Sequence, residues 1–464
     1  MSNSYFQFVL YLAATCVAPS VALAGGTSEQ VAITDGASIQ AALDRYPGKV
    51  IFVPPGNYEI SKPITISHDY SGLVGPGRII QTDPVANILV ASHAKGVQIR
   101  DLTLTRPQGS DGKTSGLVVN SCPNVVVENV QVLDNRAPAS SMNIDKCLNG
   151  RIANNLVRNY TAISVEDRTA DPDVGYAFKC IDGTGVQLTE CKGMLVQGNR
   201  IEELNNLPTP AIKEKFGLGK FTKKNANKGS RVPQETWDKE EFPGWHQGSG
   251  IYIGGDPAVS DRIQVLGNYV ENAAQAIDIH SDHVIVANNI MNNSALGLKA
   301  MHGSRNILIT GNQFDKCAIH AILLQPGTGS YAAGEPSRPG MDPATTPANI
   351  DGATIISNNI ISDFGYGDAN WMWGNERDCI CLEPPQTPRN PPLVDVIVTG
   401  NIVYDPGRDK ILVDGKCTVV PPRYRFALLI AGALKVRVSN NLFMPGSSGI
   451  TNVPLGEDTQ PISN

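Results

Sequence analysis

One phrase recurs along this chain and limits what it can fold into: two alternating apolar residues, a turn pair ending in Asn, then apolar residues again. It reads Ile152-Ala-Asn-Asn155-Leu-Val157, Val196-Gln-Gly-Asn199-Arg-Ile201, Val265-Leu-Gly-Asn268-Tyr-Val270, Val286-Ala-Asn-Asn289 and Ile309-Thr-Gly-Asn312-Gln-Phe314. Further copies are Ile356-Ser-Asn-Asn359, Val398-Thr-Gly-Asn401 and Val438-Ser-Asn-Asn441, with Leu102 and Val130 in the Asn position of two earlier ones. Alternation marks a strand with one buried side, and Asn tolerates the left-handed backbone of a sharp bend. Short strands joined by bends at an interval near one coil predict a solenoid, in which each Asn side chain bonds the same Asn one coil away. The shortest intervals, Asn268 to Asn289 and Asn289 to Asn312, are 21 and 23 residues. Intervals up to 28 residues fit one coil, and the larger ones are one coil plus an insertion or two coils with one degenerate.

A chain of 464 residues exceeds what one compact core usually supports. A solenoid grows along one axis and escapes that limit. The expected fold is all-β, a right-handed parallel β-helix. Composition agrees, with 45 Gly, 32 Pro and only 6% aromatic residues. A leucine-rich solenoid needs a consensus that is absent. The net charge of −6 argues against a nucleic-acid partner.

Residues 1–24 are read separately. Phe6 to Ala18 is apolar but short for a bilayer, and Ala22-Leu23-Ala24 has the small-x-small pattern of a cleavage site. The expectation is a signal peptide cleaved after Ala24, a secreted or periplasmic protein with no membrane span, and a monomer. Residues 25–464 then form a single β-helix domain. Eight cysteines remain, and Cys122, Cys147 and Cys191 share a register that stacks them in one turn column. A buried thiol stack is ranked above a bridge there. Cys180 with Cys191, or Cys379 and Cys381 with Cys417, are alternative pairs.

The start of the chain carries a further signal. Ser38-Ile-Gln-Ala-Ala-Leu-Asp44 reads as a short amphipathic helix, Lys49-Val-Ile-Phe-Val-Pro-Pro-Gly-Asn-Tyr58 as a strand and turn, and Ile64-Thr-Ile66 as another strand. With the Asn phrases, this resembles the pectin-lyase-like superfamily. The resemblance implies that the helix caps the open end of the coil stack. It leaves activity open, because that superfamily holds lyases, glycoside hydrolases, uronate epimerases, adhesins and tailspikes. The polygalacturonase motifs are absent as such, Met301-His302-Gly303 being a weak echo of Gly-His-Gly. Asp278-Ile-His280 is a distant look-alike of the epimerase Asp-Pro-His.

Candidate chemistry follows from the strand before each phrase. Aligning Gly250-Ile-Tyr252, Ala276-Ile-Asp278, Gly297-Leu-Lys299 and Ala318-Ile-His320 puts Tyr252, Asp278, Lys299 and His320 in one outward column. His280, His283 and His302 lie beside it. A base, a carboxylate and a phenol on adjacent rungs suit β-elimination on an acidic, uronic-acid polysaccharide. Lys299 or a histidine would be the base, Tyr252 the acid, and Asp278 would tune the base or hold a cation. The alternatives are C5 epimerisation, hydrolysis by Asp278 with Asp145, Glu166 or Asp282, and a non-catalytic glycan-binding adhesin. Asn143, Asp145, Glu166, Lys179, Trp245 and His246 are the candidate substrate-binding residues. No tight ligand spacing marks the histidines as a metal site, no cofactor is assigned from the sequence, and Ca2+ is the one cation to consider. Insertions are expected near 205–247, 327–349 and 365–392.

Overall fold

The structure is a computed structural model. It describes residues 33–171, 175–204, 244–246, 248–255, 257–335, 345–367, 377–386, 390–404, 411–413, 416–418, 422–454 and 460–461. Within these, only the backbone is described for 163–181, 244–246, 411–418 and 460–461. The expected signal segment, most of the 205–247 insertion, Trp371 and Trp373 lie outside the described residues. So do the side chains of Glu166, Lys179, Trp245 and His246.

Three long parallel sheets of 12, 13 and 12 strands run the length of the molecule, and each coil adds one strand to each sheet. This is the right-handed parallel β-helix expected. The first and second sheets meet at the Asn phrase. Asn155, Asn199, Asn268, Asn289, Asn312, Asn359, Asn401 and Asn441 form one ladder, each side-chain amide donating to the next Asn Oδ1 at 2.9–3.0 Å. Each Oδ1 also accepts a backbone N–H from the coil before it, for example from Asn268 N to Asn289 Oδ1 at 2.9 Å. The ladder thus satisfies buried groups at every bend.

The left-handed residue is not the ladder Asn, as expected, but its predecessor. Asn154, Gly198, Gly267, Asn288, Gly311, Asn358, Gly400 and Asn440 all have positive φ. The phrase therefore divides its work, the first member making the bend and the second turning inward to bond. Leu102 and Val130 occupy the same corner in early coils and are buried.

The interior is filled by one continuous set of Ile, Val and Leu side chains from all three sheets. Gly36–Arg45 forms the one helix among the described residues. Asp35 caps it, accepting from the Ser38 backbone in a reciprocal capping box. Ile39, Ala42 and Leu43 are buried, so the helix covers the end of the stack. No helix among the described residues is long and apolar enough to cross a membrane.

The cysteines stack without bridging. Cys122, Cys147 and Cys191 are buried free thiols, with the Cys147 N–H donating to Cys191 Sγ at 3.4 Å. Cys379 and Cys381 are buried as well and form no disulfide.

Candidate functional site

The third sheet carries the site on its outer side. Its register places Asn143, Gln187, Tyr252, Asp278, Lys299, Leu323, Cys381 and Leu429 in one column. Tyr252, Asp278 and Lys299 are direct neighbours, as the sequence predicts. His320 is not: it pairs with Leu296, three residues from the column, and Leu323 stands beside Lys299. The sequence offers two small-apolar pairs here, Ala318-Ile319 and Ala321-Ile322, and the second aligns with Gly297-Leu298. His283 is likewise displaced. It lies on Asp282–Ala287 in the first sheet, half-exposed against Asp282.

Around Asp278 the side chains close into a chain of proton-handling groups. Lys299 Nζ lies 3.2 Å from Asp278 Oδ2, and His280 Nε2 lies 3.1 Å from Asp278 Oδ1. The other ring nitrogen, His280 Nδ1, is 3.2 Å from Tyr252 Oη. Asp278 is 5% and Lys299 9% exposed, so this ion pair is screened far less than a surface pair. Burial alone would raise the Asp278 carboxyl. Lys299 and His280 outweigh burial and hold it well below the usual carboxylate range. The His280 N–H is not aimed well at the carboxylate: both Nε2 and Oδ1 are buried without a hydrogen-bond partner.

Gly254 makes the arrangement possible. It occupies the position that neighbours His280 in the next column, where the His280 N–H donates to Ile253 O. A Cβ on Gly254 would lie 2.1 Å from the Tyr252 ring. Without it the phenol lies back along its own strand and reaches the imidazole edge-on, with ring centroids 5.2 Å apart.

His302 completes the cluster. Its ring meets that of His280 edge-on at 4.5 Å. The Gly329 N–H donates to His302 Nδ1 at 3.0 Å, so the neutral ring carries its proton on Nε2. A Cβ on Gly327 would lie 2.3 Å from the same nitrogen. The loop pressing on His302 is the start of the expected 327–349 insertion. It is fastened by Asp351, which accepts from the Ser330 hydroxyl and from the backbone N–H groups of Gly303 and Ser304. Burial raises the Asp351 carboxyl to about 7 despite these bonds. Gly254, Gln187 and Asp351 escape a sequence reading. Gly254 leaves no chemical signature, and the roles of Gln187 and Asp351 depend on register across insertions.

Asn143 is two rungs from Tyr252 and its Oδ1 is buried without a partner. Asp145 stands in the adjacent column, paired through Thr189 to Gly254. Glu166, Lys179 and Trp245 share one backbone register in a small separate sheet, in which His246 pairs with Ile181. That sheet directly precedes the strand bearing Tyr252.

Of the three carboxylate partners considered for hydrolysis, Asp145 and Asp282 are poorly placed, and the Glu166 side chain lies outside the described residues. Asp145 is three rungs from Asp278, about 14 Å at about 4.8 Å per rung, beyond the span of about 6.5–9.5 Å that such a pair needs. Asp282 accepts from Arg305 and Asn306 in the first sheet.

No protein-family model and no curated protein matches the chain. Solved structures do. The A-module of a mannuronan C-5 epimerase of Azotobacter vinelandii is similar at 14% identity and TM-score 0.46, covering 92% of this chain and 98% of its own. A surface adhesin of Streptococcus pneumoniae is similar at 11% identity and TM-score 0.49, with 93% and 94% covered. A hyperthermoactive exopolygalacturonase of Thermotoga maritima is similar at 13% identity and TM-score 0.47, with 79% and 82% covered.

Proposed function

We propose that this right-handed parallel β-helix protein is a secreted enzyme that cleaves an acidic polysaccharide by β-elimination, starting from proton abstraction at C5 of a uronate. The observation that carries the reading is the continuous contact from Lys299 through Asp278 and His280 to Tyr252.

Both His280 nitrogens face protein groups, so Tyr252 Oη is the terminal member of the relay and the group that meets substrate. His280 Nδ1 takes the phenol proton as Oη takes the C5 proton. The C4–O4 bond breaks, a C4–C5 double bond forms, and the proton returns through Tyr252 to O4 of the departing chain. The net change moves one proton from C5 to O4, and the site is restored. Asp278 opposes the positive charge that passes through the imidazole, in the manner of a buried carboxylate behind a catalytic histidine. Lys299 and the His302 Nε2–H offer positive charge and a donor to the uronate carboxylate, whose charge grows as the C5 carbanion forms. Asn143 and Gln187 extend the groove along the sugar chain, with the protein acting as a monomer.

The test is ultraviolet absorbance of the conjugated double bond while the purified protein is incubated with a panel of polyuronates. A rise that disappears in Y252F and H280A is the expected result. New reducing ends without a double bond would replace the reading by hydrolysis. Altered uronate stereochemistry without cleavage would replace it by epimerisation of the same carbanion.

A further inference from the structure

Two rungs beyond Lys299, on the same outer side, a second cluster takes no part in that reaction. A ring nitrogen of His320, Sγ of Cys381 and a carboxylate oxygen of Glu383 lie within 4.8 Å of one another. Cys381 is fully buried, between Leu323 and Leu429 in the column, while His320 and Glu383 are partly buried. We propose that these three side chains bind a divalent transition ion of the zinc class, with one coordination position left open.

The donor set selects the ion. Thiolate and imidazole suit Zn2+, whereas Ca2+ takes six to eight oxygens and finds one carboxylate here. The surrounding bonds prepare each ligand. His320 Nδ1 donates to the Asp378 carbonyl at 3.0 Å, which fixes the tautomer and leaves Nε2 as the lone-pair nitrogen. The strand bearing that carbonyl is itself held, because the Asp378 carboxylate accepts from Arg425 at 2.6 Å and from the Phe426 N–H at 3.0 Å. The Cys381 thiol donates to Glu383 Oε1 at 3.1 Å. A metal ion takes the place of this shared proton, drawing sulfur and carboxylate onto one centre and releasing the proton to solvent. A modest contraction of the three side chains brings them to bonding distance, about 2.0–2.3 Å from a central Zn2+.

The probe is Co2+, added to the whole protein kept reduced and freed of metal. The expected result is one equivalent bound, with the near-ultraviolet charge-transfer band of a thiolate–cobalt bond, and its loss on adding Zn2+. C381S should abolish the band, and C317S, at a buried thiol elsewhere in the core, should keep it. H320Q and E383Q should weaken binding by at least ~10-fold, the loss that even an outer partner of a metal ligand produces. If C381S fails to fold, these two variants decide. Absence of the band in the native protein, its persistence in C381S, or unchanged affinity in both H320Q and E383Q would overturn the proposal. None of these readouts depends on lyase activity.

Discussion

Tyr252 Oη and His280 Nδ1 lie 3.2 Å apart although 28 residues separate them in sequence, because adjacent coils place them on neighbouring rungs. In the proposed reaction this contact is what lets the phenol pass a proton to the imidazole. Y252F removes one oxygen and keeps the ring that packs over Gly254. Its turnover on the best polyuronate should fall by ~100-fold or more, the usual weight of a general acid–base group, while thermal stability changes little. Initial rates of double-bond formation measure this. Near-native turnover in Y252F would remove Tyr252 from the mechanism.

The Lys299–Asp278 pair makes a prediction about stability and pH. Removing one member of a buried pair typically costs about 3–5 kcal/mol, because the other charge is left uncompensated. K299M should therefore lower the urea midpoint clearly at pH 7. A carboxyl depressed on folding contributes stability above its unfolded pKa, about 3.9, and loses it as the pH falls through the folded value. The deficit of K299M should accordingly shrink in acid, as its unpaired Asp278 becomes protonated. A deficit of equal size at pH 7 and in acid would show that packing, not charge, is what Lys299 supplies.

Much of this was legible in the sequence, for reasons specific to particular residues. The Asn phrase fixes a corner each time it occurs, so Asn289 and Asn312 define a coil without reference to anything distant. Tyr252, Asp278 and Lys299 follow because no long insertion interrupts the coils that carry them. The reading failed at His320, where two equally plausible small-apolar pairs lie three residues apart and only cross-strand hydrogen bonding chooses between them. It also missed Asp351, whose partners Gly303, Ser304 and Ser330 lie up to 48 residues away across an insertion. Local pattern cannot reveal such contacts, because they depend on how an irregular loop returns to the stack.

The Asn ladder should be least tolerant in its middle. Asn289 accepts from Asn268 and donates to Val265 O and Asn312 Oδ1, all in the buried interior. N289A strands several of these groups, each costing about 1–3 kcal/mol when buried and unpaired. Asn441, the last rung of the ladder, sits beside a coil whose surroundings are more open. N289A should lower the melting temperature more than N441A. Equal losses would mean that the ladder acts through bend geometry and not through its bonds.

Asp351 predicts the opposite pH trend from Asp278. Its carboxyl is raised on folding to about 7, so its stabilising contribution is complete below about 3.9 and is lost as the pH rises through about 7. D351N keeps the shape and removes the titration. The melting temperature of D351N relative to the native protein should rise between pH 4 and 7 and then level off. A difference independent of pH would mean that the carboxyl is ionised throughout and acts only as an acceptor for Gly303, Ser304 and Ser330.

Gly254 offers the sharpest separation of fold from chemistry. It ends its strand opposite His280, and the space its missing side chain leaves is filled by the Tyr252 ring. A methyl group there would stand 2.1 Å from the ring carbon and 2.3 Å from the hydroxyl oxygen. Backbone strain is not at issue, since Gly254 has no positive φ, so G254A should leave the coil intact and swing the phenol away from His280. A misplacement of about 1 Å at a reacting group costs about 100-fold in rate. G254A should therefore resemble Y252F in turnover while retaining a native melting temperature, and G254S should do the same. Full activity in G254A would show that the phenol reaches its substrate by a path other than the one Gly254 leaves open.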